Sequence, residues 1–192
     1  MAWNWTPDSK LCFVTTGATA PFTELIESVL SPTCLDSLRE GGFTHLLVQY
    51  GSAEDVYKQF SKLASAYIQE NPSKGTLVID GIDFNPDGLK TQFQLVQRSK
   101  GSGSILEALR YQIPLIVVPN TGLLDNHQEE LAVAMERNNY LVRGDVKNLA
   151  PAIKKSDDFR LKMSQFPPMT SGKHRETKSF AAIMDETTGY MD

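Results

Sequence analysis

The sequence predicts an α/β fold: a parallel sheet with helices on both faces. Three observations lead there. Short apolar, β-branched runs recur along the 192 residues. Between them lie segments whose apolar residues repeat at the spacing of a helix face. Glycine, proline and small polar residues separate the two kinds of segment. Strands that alternate with helices pair in parallel and need helical cover on both sides of the sheet.

Leu11-Cys12-Phe13-Val14-Thr15-Thr16 is a buried strand that ends at Gly17-Ala18-Thr19. Pro21 opens a helix with Phe22, Leu25, Ile26 and Val29 on one face. Gly41-Gly42 breaks the chain, and residues 44–49 form a second strand. Residues 53–69 are predicted helical, with Val56, Phe60, Leu63 and Tyr67 on a common face. Lys74-Gly75 turns the chain into a third strand over 76–79, and residues 81–88 are expected to be loop, with Asn85-Pro86-Asp87-Gly88 as the turn signal. A helix over 104–111 follows a glycine-rich loop; Pro114 ends it, and Leu115-Ile116-Val117-Val118-Pro119 is a further buried strand. Leu131, Val133, Ala134 and Met135 carry a helix over 127–138, and Tyr140-Leu141-Val142 is a last short strand. Asp145 is placed to N-cap a helix that opens over 145–149. After Phe159 the composition turns polar, Phe166-Pro167-Pro168 interrupts the chain, and Phe180, Ile183 and Met184 share a face of a terminal helix. The expected division is an α/β domain over residues 1–155 and a polar tail over 156–192, whose helix docks on the domain or on a partner.

Composition excludes several classes. Hydrophobic residues make up 41% of the chain and the net charge is -4, so a core can form and no nucleic-acid footprint is present. No apolar run reaches the roughly 18 residues of a membrane span. Met1-Ala2-Trp3-Asn4-Trp5 has neither the basic nor the apolar region of a secretory signal. Cys12 and Cys34 fit no metal spacing and read as buried free thiols of a reducing compartment. His45, His127 and His174 are scattered, so neither a metal site nor a cofactor is expected.

Ligands of open α/β sheets bind beyond the carboxyl ends of the strands. Three motifs fall at such places. In Thr15-Thr16-Gly17-Ala18-Thr19, small residues let backbone N–H groups approach a phosphate; a structural turn uses the same residues. Gly101-Ser102-Gly103-Ser104, before a helix, suits a pyrophosphate or serves as a flexible linker. Glu107, in the first turn of that helix, either accepts from ribose hydroxyls or answers the helix dipole. Leu124-Asp125-Asn126-His127-Gln128 either reads the hydroxyls of a sugar or caps a helix.

Phe13-Val14-Thr15-Thr16-Gly17-Ala18-Thr19-Ala20-Pro21-Phe22, Gln49-Tyr50-Gly51, Gly103-Ser104-Ile105-Leu106-Glu107-Ala108-Leu109, Pro114-Leu115-Ile116-Val117-Val118-Pro119-Asn120 and Asp125-Asn126-His127-Gln128 occur in this order. In these residues the chain resembles the catalytic subunit family of the UDP-N-acetylglucosamine transferase of dolichol-linked oligosaccharide synthesis, of glycosyltransferase family 28 type. The resemblance covers roughly residues 11–150. It implies a Rossmann-like domain, the C-terminal half of a GT-B glycosyltransferase. The implied reaction is inverting transfer of N-acetylglucosamine to N-acetylglucosaminyl-diphosphodolichol, with acceptor site and membrane anchor on a separate partner subunit at the cytosolic face of the endoplasmic reticulum. By the resemblance Gly101, Ser102, Gly103 and Ser104 line the diphosphate, Glu107 faces the ribose, and Asn126, His127 and Gln128 face the sugar; Thr16, Gly17 and Thr19 are candidate donor-site residues from their pattern alone. The catalytic base is not assigned.

The chain departs from the family at one place. Members carry a hydrophobic strand ending in Ser-His-Ala-Gly before the glycine-rich loop. Here the approach is Gln94-Leu95-Val96-Gln97-Arg98-Ser99-Lys100, in which Val96 continues a helix face begun by Leu89 and Phe93. A short deletion between Lys100 and Ser102, removing one central strand and a donor-site histidine, accounts for this. The alternative expectation is therefore a chain that keeps the fold and partner binding and lacks donor binding.

Overall fold

A computed structural model describes residues 8–16, 21–83, 113–120 and 127–163. The elements in chain order are β1 Leu11–Thr15, α1 Thr23–Val29, α2 Pro32–Glu40, β2 His45–Gln49, α3 Glu54–Glu70, a 3-10 turn Pro72–Lys74, β3 Val78–Ile82, β4 Ile116–Val117, α4 His127–Arg137, β5 Val142–Arg143 and α5 Ala150–Met163. Strands β1, β2 and β3 pair in parallel in that order, with Leu11 opposite His45 and His45 opposite Val78. A second parallel ladder joins β4 to β5.

Side-chain alternation explains why both faces are covered. On β1, Leu11 and Phe13 enter one cluster, while Cys12 and Val14 pack against the other. On β2, Leu47 joins the first face and Leu46 and Val48 the second. The chain around β4 keeps the same period of two: Leu115 and Val117 face one cluster, Ile116 and Val118 the other. The two ladders therefore lie in one layer between the same two cores. One core takes Leu25, Ile26 and Val29 of α1, Leu35 and Leu38 of α2, Ala64 of α3 and Ile153 of α5; the other takes Met135 of α4 with Tyr140 and Leu141.

Local signals set the helix ends. Ser31 Oγ accepts from the N–H of Cys34 at 3.4 Å, and Pro32 occupies the first helical position of α2. At its far end Gly42, with φ of 71°, lets the N–H of Phe43 reach Leu38 O at 2.9 Å while Gly42 N–H reaches Arg39 O at 3.0 Å. Helix α4 ends the same way. Asn139 takes φ of 57°, Tyr140 N–H bonds Met135 O at 3.0 Å and Asn139 N–H bonds Glu136 O at 3.0 Å. In both motifs the apolar pair, Phe43 with Leu38 and Tyr140 with Met135, is buried in the adjoining core.

Several expectations are corrected. Helix α2 was not expected, although Ser31 and Pro32 mark its start and Cys34, Leu35 and Leu38 its buried face. Strand β3 begins at Val78 and includes Gly81 and Ile82, which the sequence places in a loop. Leu63 is 60% exposed; the covered face of α3 uses Tyr57, Ala64 and Ile68 beside Val56, Phe60 and Tyr67. Tyr140 and Leu141 precede β5 rather than forming it. Asp145 stabilises a turn, not a helix: its Oδ1 accepts from Lys147 N–H at 2.9 Å, and α5 starts only at Ala150. Helix α5 extends to Met163, with Ser156 and Phe159 buried. The shortened approach to Ser102, the helix over 104–111 and the terminal helix lie outside the described residues.

Candidate functional site

The carboxyl ends of β1, β2 and β3 share one edge, because the three strands are parallel. Thr15 lies opposite Gln49 in the register, and Thr15 Oγ1 donates to Gln49 Oε1 at 2.7 Å. One residue further on, Thr16 donates twice to the backbone carbonyl of Gln49, through N–H at 3.4 Å and Oγ1 at 3.2 Å. The end of β1 is thus tied to β2 at two successive residues.

Next to it, Tyr50 N–H continues the β2–β3 ladder to Ile82 O at 3.1 Å, and Gly51 takes φ of 55° to turn the chain toward α3. The Tyr50 ring stacks on Tyr57, centroids 5.0 Å apart and planes inclined by 23°. Gly81 makes room for Tyr57, since a Cβ there would overlap its ring. Burial pushes the Tyr57 phenol up to about 12, with the Asp80 charge adding to the effect. Burial, then the charges of Glu54 and Asp83, also raise Tyr50. Both rings therefore stand at the edge as neutral hydroxyls.

At the other ladder, Arg143 at the end of β5 pairs with Glu129 in the first turn of α4, and its N–H donates to Glu136 Oε1 at 3.0 Å. Helix α4 is thus tied to the end of β5 from its first turn, through Glu129, and from its last, through Glu136. His127 and Gln128 are its first two residues, placed by their backbone. The exposed N–H groups of such an end favour negative charge.

Of the residues expected in the site, Thr16 is placed with its side chain, and His127 and Gln128 by backbone. Gly17, Thr19, Gly101, Ser102, Gly103, Ser104, Glu107 and Asn126 lie outside the described residues. Gln49 was not expected as a site residue. Its signal in the sequence is a polar residue closing an otherwise apolar run, Leu46-Leu47-Val48. Among the described residues no helix is long and apolar enough to cross a membrane.

A parallel sheet between helices, with Thr15 and Thr16 at its carboxyl edge, defines a Rossmann-like α/β domain of the kind that receives ligands at that edge. Residues 11–186 match the glycosyltransferase family 28 C-terminal domain, and the chain belongs to this glycosyltransferase family. It is 36% identical, over 83% of its length and 86% of the relative's, to the UDP-N-acetylglucosamine transferase subunit ALG13 of Eremothecium gossypii. The protein of the same name from Cryptococcus neoformans var. neoformans serotype D is 32% identical over 92% of this chain and 96% of its own. The NMR solution structure of ALG13 superposes with a TM-score of 0.53 at 26% identity, covering 85% of this chain and 90% of the other.

Proposed function

We propose that this chain supplies the UDP-N-acetylglucosamine site of a two-subunit transferase. The acceptor is N-acetylglucosaminyl-diphosphodolichol, and the step is the second in building the lipid-linked oligosaccharide used for protein N-glycosylation. The observation that carries this reading is the family match over residues 11–186, supported by full-length relatives named as UDP-N-acetylglucosamine transferase subunits. The diphosphate is held by backbone N–H groups of two small-residue loops, one of Thr16, Gly17 and Thr19, the other of Gly101, Ser102, Gly103 and Ser104. Glu107 accepts from the ribose hydroxyls, and Asn126, His127 and Gln128 read the sugar.

In the reaction the bond from the anomeric carbon to the UDP oxygen breaks as the acceptor hydroxyl attacks from the opposite face. Charge grows on the departing diphosphate, where the loop N–H groups stabilise it. A general base takes the acceptor proton; no motif of this chain marks it. Acceptor site and membrane attachment belong to the partner, which brings the chain to the cytosolic face of the endoplasmic reticulum. A second reading rests on the shortened segment before Ser102: a chain that binds its partner and not the donor.

Calorimetric titration of UDP-N-acetylglucosamine into the chain with its partner separates the two. Binding is expected, with turnover only when both subunits are present. Glu107→Ala should weaken the nucleotide by about 1–3 kcal/mol, because ribose hydroxyls lose their acceptor. Full activity of both Glu107→Ala and Asn126→Ala complexes would overturn the site assignment. Turnover of the dolichol-linked acceptor by the single chain would overturn the two-subunit reading.

A further inference from the structure

We infer that Gln49 is a positioning residue for the donor, acting through the Thr15–Thr16 stem of the loop that leaves β1. The inference rests on the donor-site reading above. Gln49 is 2% exposed, as buried as the Leu46, Leu47 and Val48 that precede it. Packing alone would be met by another aliphatic residue, and a buried carboxamide is costly unless hydrogen-bonded. Its bond goes to Thr15 Oγ1 at 2.7 Å, while its carbonyl takes the N–H and Oγ1 of Thr16. One side chain and its own backbone thus fix two successive residues of β1's outgoing end.

The backbone that follows is held too: Tyr50 N–H continues the ladder to Ile82 O and the Tyr50 ring stacks on Tyr57. A loop that presents backbone N–H groups to a phosphate works only if its geometry is held to a fraction of an ångström. Gln49 supplies that constraint without touching the ligand.

The test is steady-state kinetics and UDP-N-acetylglucosamine titration on the full chain with its partner. Gln49→Leu and Thr15→Val, which each remove one end of the bond, should raise the donor KM about tenfold. The acceptor KM should not move, and kcat should stay within about twofold. Thr15→Ser, which keeps the hydroxyl, should restore the wild-type donor KM. The double variant Gln49→Leu/Thr15→Val should be no worse than either single one, because both break the same bond. Wild-type donor KM in both single variants overturns the inference. So does a loss confined to melting temperature and active fraction. If the wild-type complex takes up no UDP-N-acetylglucosamine, the donor-site reading fails first, and the variants need not be consulted to see it.

Discussion

Tyr57 reaches the sheet only because position 81 carries no side chain. The sequence marks Gly81 as punctuation, the usual meaning of an isolated glycine after a strand. Its role in the structure is close approach, which depends on a ring 24 positions earlier in the chain and leaves no local signal. Gly81→Ala should drive the Tyr57 ring off the sheet and break its stack on Tyr50. The expected loss is about 1–3 kcal/mol, the range for an overpacked site, read from thermal or urea unfolding. An alanine variant that melts with the wild type would mean that the ring has room to turn aside. Gln49 stands in one of the family motifs, but its role escaped the sequence for a related reason. Thr15 and Gln49 meet through the β1–β2 register, and register belongs to the folded sheet, not to any window of sequence. Thr16 was legible because it ends an apolar run just before a glycine.

Elements were legible where periodicity is strong. Strands β1 and β2 and helices α1, α3 and α4 stand within two residues of their expected places. The failures have physical causes. Helix α2 carries Thr33, Asp36, Ser37 and Arg39 among its apolar residues, and Arg39 is buried because its guanidinium reaches backbone carbonyls of Asn71 and Gly75. Tertiary contacts thus hide a polar residue on an inner face. Leu63 fits the helical period yet is exposed, since α3 lies at the rim and the sheet covers only part of its apolar stripe. Helix α5 is joined to the start of β1 by Lys10. The Lys10 ammonium bonds Asp157 Oδ1 at 2.6 Å and Gly41 O at 2.8 Å, and sits 4.1 Å from the centre of the Phe43 ring. Lys10→Met removes the charge and keeps most of the stem. It should cost about 1 kcal/mol, a charge-assisted bond discounted for the exposure of Asp157. A melting temperature unchanged by Lys10→Met would show that α5 is held without the Lys10–Asp157 pair.

The whole molecule should lose stability in acid in two stages. His45 is held below the ordinary imidazole range because burial disfavours the charged ring. The unfolded chain therefore takes up that proton first, and stability falls as pH drops below about 6.5, until the folded ring titrates as well. Asp36 adds a second stage. Burial raises its carboxyl, but hydrogen bonds from Lys74 and Tyr67 and the charges of Lys74 and Arg39 outweigh it and hold it below the usual range. Its contribution is present above about pH 4 and fades below it. Melting temperatures between pH 7.5 and 5.5 should fall in the wild type and fall less in His45→Gln; parallel curves would rule out His45 as the source. The order of strand pairing has a further consequence, for synthesis. Among the described residues, strands β1, β2 and β3 pair only with their neighbours in sequence, so this ladder can form once residue 82 has left the ribosome. Its two faces differ in cover: α1, α2 and α3 already pack on one, whereas Leu11, Phe13 and Leu47 on the other find theirs in residues 113–141, which are translated later. A nascent chain at that stage carries a three-stranded ladder with a bare apolar side, the form in which it is most open to aggregation and most in need of a chaperone.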